Sequence, residues 1–145
     1  MGFRIFSPGY DAMTEARMRK AQRLHDVQKG LQRLEEGRIS VLRSRQAEIA
    51  SLQEEIIGSL NSDGQIQDVL VSAIVRRLKS LSEESIRLAA ELERRYQALR
   101  TIAPRTKCAE RLSNTYEQQH ARASAEKELR DIIERIAHSE YASLP

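Results

Sequence analysis

From Asp11 to Ile57 apolar side chains return every three or four positions: Leu24, Val27, Leu31 and Leu34, then Val41 or Leu42, then Ile49, Leu52 and Ile56. That spacing predicts a helix, with Asp11 as its plausible cap. Gly30 and Gly37 alone interrupt it, each costing about 1 kcal/mol relative to alanine. Leu31 and Leu42 fall out of heptad phase with each other, so the seam is expected to slip near Arg38. Residues 58–64, Gly-Ser-Leu-Asn-Ser-Asp-Gly, break the pattern. Gly58 suits the position just past a helix C-terminus, and Ser62 with Gln65 matches a capping box for the next helix. In that second helix Val71, Leu78, Ser85, Leu92 and Leu99 share one heptad position, while Ile74, Leu81, Leu88, Arg95 and Ile102 share the other. All but Ser85 and Arg95 are aliphatic, which marks a packed seam. Arg95 is expected to pack its stem there and send its head to water.

These elements predict an all-α chain: a tail over 1–11, then one domain over 12–143 made of a helix at 12–57, a turn at 58–64 and a helix at 65–143. A short connection makes the helices neighbours, giving a long antiparallel two-helix coiled-coil hairpin. Folding about Asn61 and Ser62 sets Leu52 against Val71, Ile49 against Ile74 and Leu42 against Leu81. The first helix then runs out opposite about residue 112, leaving the end of the second as a C-terminal helical overhang. Pro104 is expected to kink or break that helix. The alternative is a three-helix bundle broken at Pro104. The overhang is favoured because residues 113–128 offer only alanines and Tyr116 for burial, whereas a bundle helix is apolar along its length. Leu129, Ile132, Ile133 and Ile136 then form one short stripe, the candidate partner-binding residues. Its competing use is end-packing against Phe3, Phe6 or the start of the first helix.

Composition narrows the function. The chain has 145 residues, 31% charged and 4% aromatic, with no tryptophan, six glycines and three prolines. That excludes a β-sandwich and leaves few bulky side chains to wall a substrate pocket. The net charge is only +3, and the arginines are spread rather than gathered into the basic face of a nucleic-acid binder. Cys108 has no second cysteine to pair with, and His25, His120 and His138 are not at ligand spacing. The paired acids Glu35-Glu36, Glu54-Glu55 and Glu83-Glu84 point to different parts of a helix surface. Accordingly no catalytic, metal or cofactor site is expected, no small-molecule substrate and no membrane insertion. The default address is the cytoplasm. The tail carries Phe3, Ile5, Phe6 and Tyr10 around a Ser7-Pro8-Gly9 turn, either as an end-packing segment or as a docking peptide.

The run from Lys107 to Glu117, KCAERLSNTYE, followed by Glu126 to Ile132, EKELRDI, resembles the C-terminal pattern of the FliJ family. These are small coiled-coil proteins of flagellar type III export, with counterparts in injectisomes. In that family a leucine and a tyrosine or arginine lie among charged residues, ahead of a Lys-Glu-Leu-Asp-type stretch. Pro104 and the aromatic tail depart from the pattern. The resemblance implies a non-enzymatic stalk and chaperone-escort protein. Its helix termini would enter the central hole of the export ATPase hexamer, and other surfaces would meet the export gate and substrate chaperones. It also implies a place in the cytoplasm or at the inner face of the cell membrane. The alternatives are a homodimeric coiled-coil scaffold or adaptor unrelated to export and, behind it, an arginine-driven nucleic-acid binder.

Overall fold

The computed structural model describes residues 9–62 and 68–143. They form two helices, α1 (Tyr10–Ser62, 53 residues) and α2 (Asp68–Ala142, 75 residues), with no strand among the described residues. The fold is all-α. Of the tail, residues 1–8 lie outside the described part, whereas Tyr10 and Asp11 belong to α1. Asp11 is therefore a first-turn acid, favourable beside the helix's unpaired N–H groups, and not the cap.

Three sequence expectations change. First, Gly58 to Ser62 are helical, so the turn predicted at 58–64 does not begin at Gly58. No described glycine takes a positive φ, and one interior glycine is a small cost in a helix of this length. Ser62 is no cap for α2 either, since its hydroxyl donates back to the Ser59 carbonyl at 3.2 Å, inside the last turn of α1. The start expected at residue 65 lies outside the described residues. Second, α2 is one helix with Pro104 inside it, which removes the three-helix bundle broken at Pro104. A proline ring deletes one ladder bond, and the remaining ladder carries the helix past it.

Third, the buried face of α1 departs from the expected apolar one over its first half, whereas Leu42, Ile49, Leu52 and Ile56 are buried or half-buried as expected. Among its buried and half-buried positions, Thr14, Met18, Ala21, His25, Gln28, Gln32, Glu35, Ile39, Leu42, Gln46, Ile49, Gln53, Ile56 and Leu60 form one row. That is an unbroken alternation of three and four, a heptad with no slip at Arg38. Leu24, Val27, Leu31, Leu34 and Val41 stand next to this seam and are 43–70% exposed. On α2 the expected seam holds from Ile74 to Ile102, where Ile74, Leu78, Leu81, Ser85, Leu88, Leu92, Arg95, Leu99 and Ile102 are all buried or half-buried, but its first member, Val71, is exposed.

The chain divides into two compact units. The first contains residues up to Lys29 and from Pro104 onward, the second Gly30–Ala103. In the second, Gln53 bonds Ser82, Arg45 bonds Glu84 and Arg95 bonds Glu35. Partners on α2 rise in number as those on α1 fall. The pairing lies about one heptad away from the expected register, since Arg45 reaches Glu84 and not the neighbourhood of Leu78. A heptad pattern looks the same after such a slide, and α1 itself runs on to Ser62. In the first unit Thr106 donates to the Gln28 carbonyl, Gln22 to Glu117, and Asp11 meets Ser124 and Lys127. Residues expected to project from 113 onward instead contact α1 as far as Lys127. Ser113 and Ala123 are buried, and continuous exposure begins only at Asp131.

Candidate protein-interaction surfaces

Leu129, Ile132, Ile133 and Ile136 follow the spacing i, i+3, i+4, i+7, which puts them on one face of α2. The structure brings all four together there, 59%, 49%, 56% and 56% exposed. Every residue from Asp131 to Ser143 is exposed. Singly exposed aliphatic residues need no explanation, but a contiguous set marks a contact surface. Asp131, Glu134, Arg135 and His138 line a shallow depression in the same segment.

Just before the stripe, a polar cluster ties the start of α1 to α2. His120 Nδ1 lies 3.2 Å from Thr14 Oγ1 and 3.7 Å from Asp11 Oδ1. Ser124 Oγ donates to Asp11 Oδ1 at 3.5 Å, and Lys127 Nζ is 3.8 Å from Asp11 Oδ2. A hydroxyl, an imidazole and a carboxylate invite comparison with a nucleophilic triad, but the wiring is wrong. Thr14 and Asp11 approach the same ring nitrogen, whereas a relay needs the acid on one nitrogen and the nucleophile on the other. The Thr14 hydroxyl is also within 2.9 Å of the Asp11 carbonyl, to which it donates. Holding α1 against α2 is what this cluster can do chemically.

In the second unit the seam carries charge. Glu35 is 7% exposed, and its Oε1 accepts from Arg38 at 2.8 Å and Arg95 at 3.2 Å. Its Oε2 is buried without a partner. The Arg95 head pairs with Glu35 and Glu91 while remaining partly exposed. Arg45 grips Glu84 with two parallel bonds of 2.8 and 3.1 Å, the two-pronged geometry that suits guanidinium and carboxylate. The Arg45 bond holds the Glu84 carboxyl below its ordinary range, and bonds from Arg94 and then Arg95 do the same to Glu91. Arg43 stacks over Tyr96, 5.2 Å from the ring centre.

Beside this seam runs the apolar face of the first half of α1, whose periodicity predicts core. In the second unit Leu31, Leu34 and Val41 are 43%, 50% and 70% exposed. Leu34, Gly37, Arg38, Val41 and Leu42 border an open groove of about 540 Å³ with Glu91 and Arg95 opposite. The clue in the sequence was the phase change near Arg38. Two apolar heptads one residue out of step mark two faces of one helix, not a slip in one seam.

Cys108 is free and exposed. Among the described residues no three His, Cys, Asp or Glu side chains converge on a metal-sized site, and no helix is long and apolar enough to cross a membrane. No family model, curated protein or solved structure matches the chain.

Proposed function

We propose that this chain is a non-enzymatic FliJ-type stalk of flagellar type III export: an antiparallel two-helix coiled-coil hairpin whose helix termini engage the export ATPase ring. Further surfaces would serve the export gate and substrate chaperones. It works in the cytoplasm or at the inner face of the cell membrane. The observation that carries this reading is the end of α2, where Leu129, Ile132, Ile133 and Ile136 stay exposed in a helix that continues past the start of α1. The FliJ-like run from Lys107 to Ile132 leads into that stripe. The charged flanks add support. Exposed pairs such as Arg19–Glu15 and Arg94–Glu91 are weak and screened by salt, so contacts with a turning ring can rearrange readily. Engagement of arginines by carboxylates also argues against a nucleic-acid face. The test is sedimentation of the purified chain with a flagellar export ATPase hexamer. Binding is expected, and Ile132→Asp should weaken it about tenfold or more while leaving helicity and melting unchanged. No binding, or binding indifferent to Ile132→Asp, overturns the assignment.

The exposed face of Leu31, Leu34 and Val41 favours a second reading, a homodimeric scaffold. Light scattering separates the two, because a stable dimer with no affinity for the ATPase is the scaffold's result.

A further inference from the structure

We infer that the groove between Leu34, Gly37 and Val41 of α1 and Glu91 and Arg95 of α2 binds an acidic amphipathic helix of a partner protein.

The spacing of the face points to a helix. Leu31, Leu34, Arg38 and Val41 succeed one another at steps of three, four and three, a second row along α1 beside the buried seam. Its three aliphatic members are exposed. Such a row is matched by another helix, whose side chains return at the same intervals. From Leu31 to Val41 it covers about 15 Å of helix axis, enough for about three turns of an incoming helix. Gly37 lies in the middle of that stretch, and a Cβ added there would meet nothing within 4 Å. The floor is therefore open at Gly37, where a partner's side chain can enter without displacing anything.

Charge selects the partner. Glu35 is shared by Arg38 and Arg95, and Glu91 by Arg94 and Arg95. Arg33, exposed on the rim, pairs with no carboxylate among the described residues. Glu36 lines a different depression, with Ser40 and Arg43. Four arginines thus meet two acids around this groove, and a partner that brings carboxylates completes the pairing. A second copy fits worse, because it would carry the same arginines to the same place, and like charges repel. A nucleic acid would satisfy the arginines through its phosphates but leave Leu34 and Val41 in water. The inference does not rest on the export reading.

The probe is a synthetic, fluorescein-labelled helical peptide with leucines at i, i+3, i+4 and i+7 and glutamates on its flanks, against the same peptide carrying lysines. Anisotropy on the full chain should show the glutamate peptide binding at least about tenfold more tightly than the lysine one, with affinity falling as salt rises. Gly37→Gln lays a side chain across the floor. It should weaken binding about tenfold while raising the melting temperature, because glutamine favours a helix more than glycine does. Arg33→Glu should weaken binding as much and leave melting unchanged. No binding, equal binding of the two peptides, or binding indifferent to either variant overturns the inference. So does a dimer that Val41→Asp dissociates, which would put a second copy in the groove. An oligothymidylate that binds as tightly and displaces the peptide overturns it too. Failure here leaves Ile132-dependent ATPase binding intact, and failure of ATPase binding leaves the peptide result intact.

Discussion

Ile49 and Leu81 are the largest side chains withdrawn from water, at 1% and 0% exposure, and both belong to the second unit. Truncating either leaves a hole that neighbours on two helices cannot fill, so Leu81→Ala should cost about 2–5 kcal/mol, read as a lower denaturant midpoint. Leu34→Ser is the contrast. At 50% exposure it should change stability by no more than about 0.5 kcal/mol, although sequence periodicity gives it the same status as Leu81. Glu84 and Glu91 set the acid limb. Their folded-state carboxyls titrate below the ordinary 4.5 because Arg45, Arg94 and Arg95 bond them. Their contribution is therefore complete above that value and is lost as pH falls through the lowered folded values. Thermal melts should show the midpoint falling below about pH 4.5, and Arg45→Ala should flatten that fall while carbon-detected titration shows the Glu84 carboxyl moving back up. Arg95 was legible as a seam residue, but its pairing with Glu35 was not. That depends on Glu35, an acid at a buried position which no hydropathy pattern distinguishes from a solvated one.

At the scale of the helices, what was legible followed from periodicity, and what was missed has the same source. Leu81, Leu88 and Leu92 repeat a seam in α2 with few competing apolar positions, and the seam is where the pattern puts it. In α1 two faces competed. The eye follows Leu24, Val27, Leu31 and Leu34, whereas the chain buries Ala21, His25, Gln28 and Glu35. Polar side chains can occupy a seam when partners satisfy them, as Arg38 and Arg95 do for one oxygen of Glu35. Helix ends were the least legible. Gly58 carries the residue type of a stop but is an ordinary helical position, and a Cβ added there meets nothing within 4 Å. Gly58→Ala should therefore stabilise the chain by about 1 kcal/mol, seen as a raised melting temperature. A glycine that ended the helix in a left-handed conformation would give the opposite sign.

At the scale of the whole chain, each unit joins α1 to α2 by its own means. The first uses the Asp11, Thr14 and His120 cluster, and the second uses the charged seam around Glu35 and Arg45. The candidate stripe was legible because four aliphatic residues at helical spacing stand out in a polar stretch. The functional assignment draws on resemblance together with the stripe's exposure, since a helix pair carries its specificity in surface contacts that composition does not encode. The proposed stalk depends on the two helices lying in opposite directions and in one register, which a pair of engineered cysteines reads directly. In a Cys108→Ser background, Gln53→Cys with Ser82→Cys should form a disulfide within one chain under mild oxidation, while Leu52→Cys with Val71→Cys should not. A disulfide for the Leu52 and Val71 pair in its place, or one for Gln53 and Ser82 only between separate chains, would contradict the account.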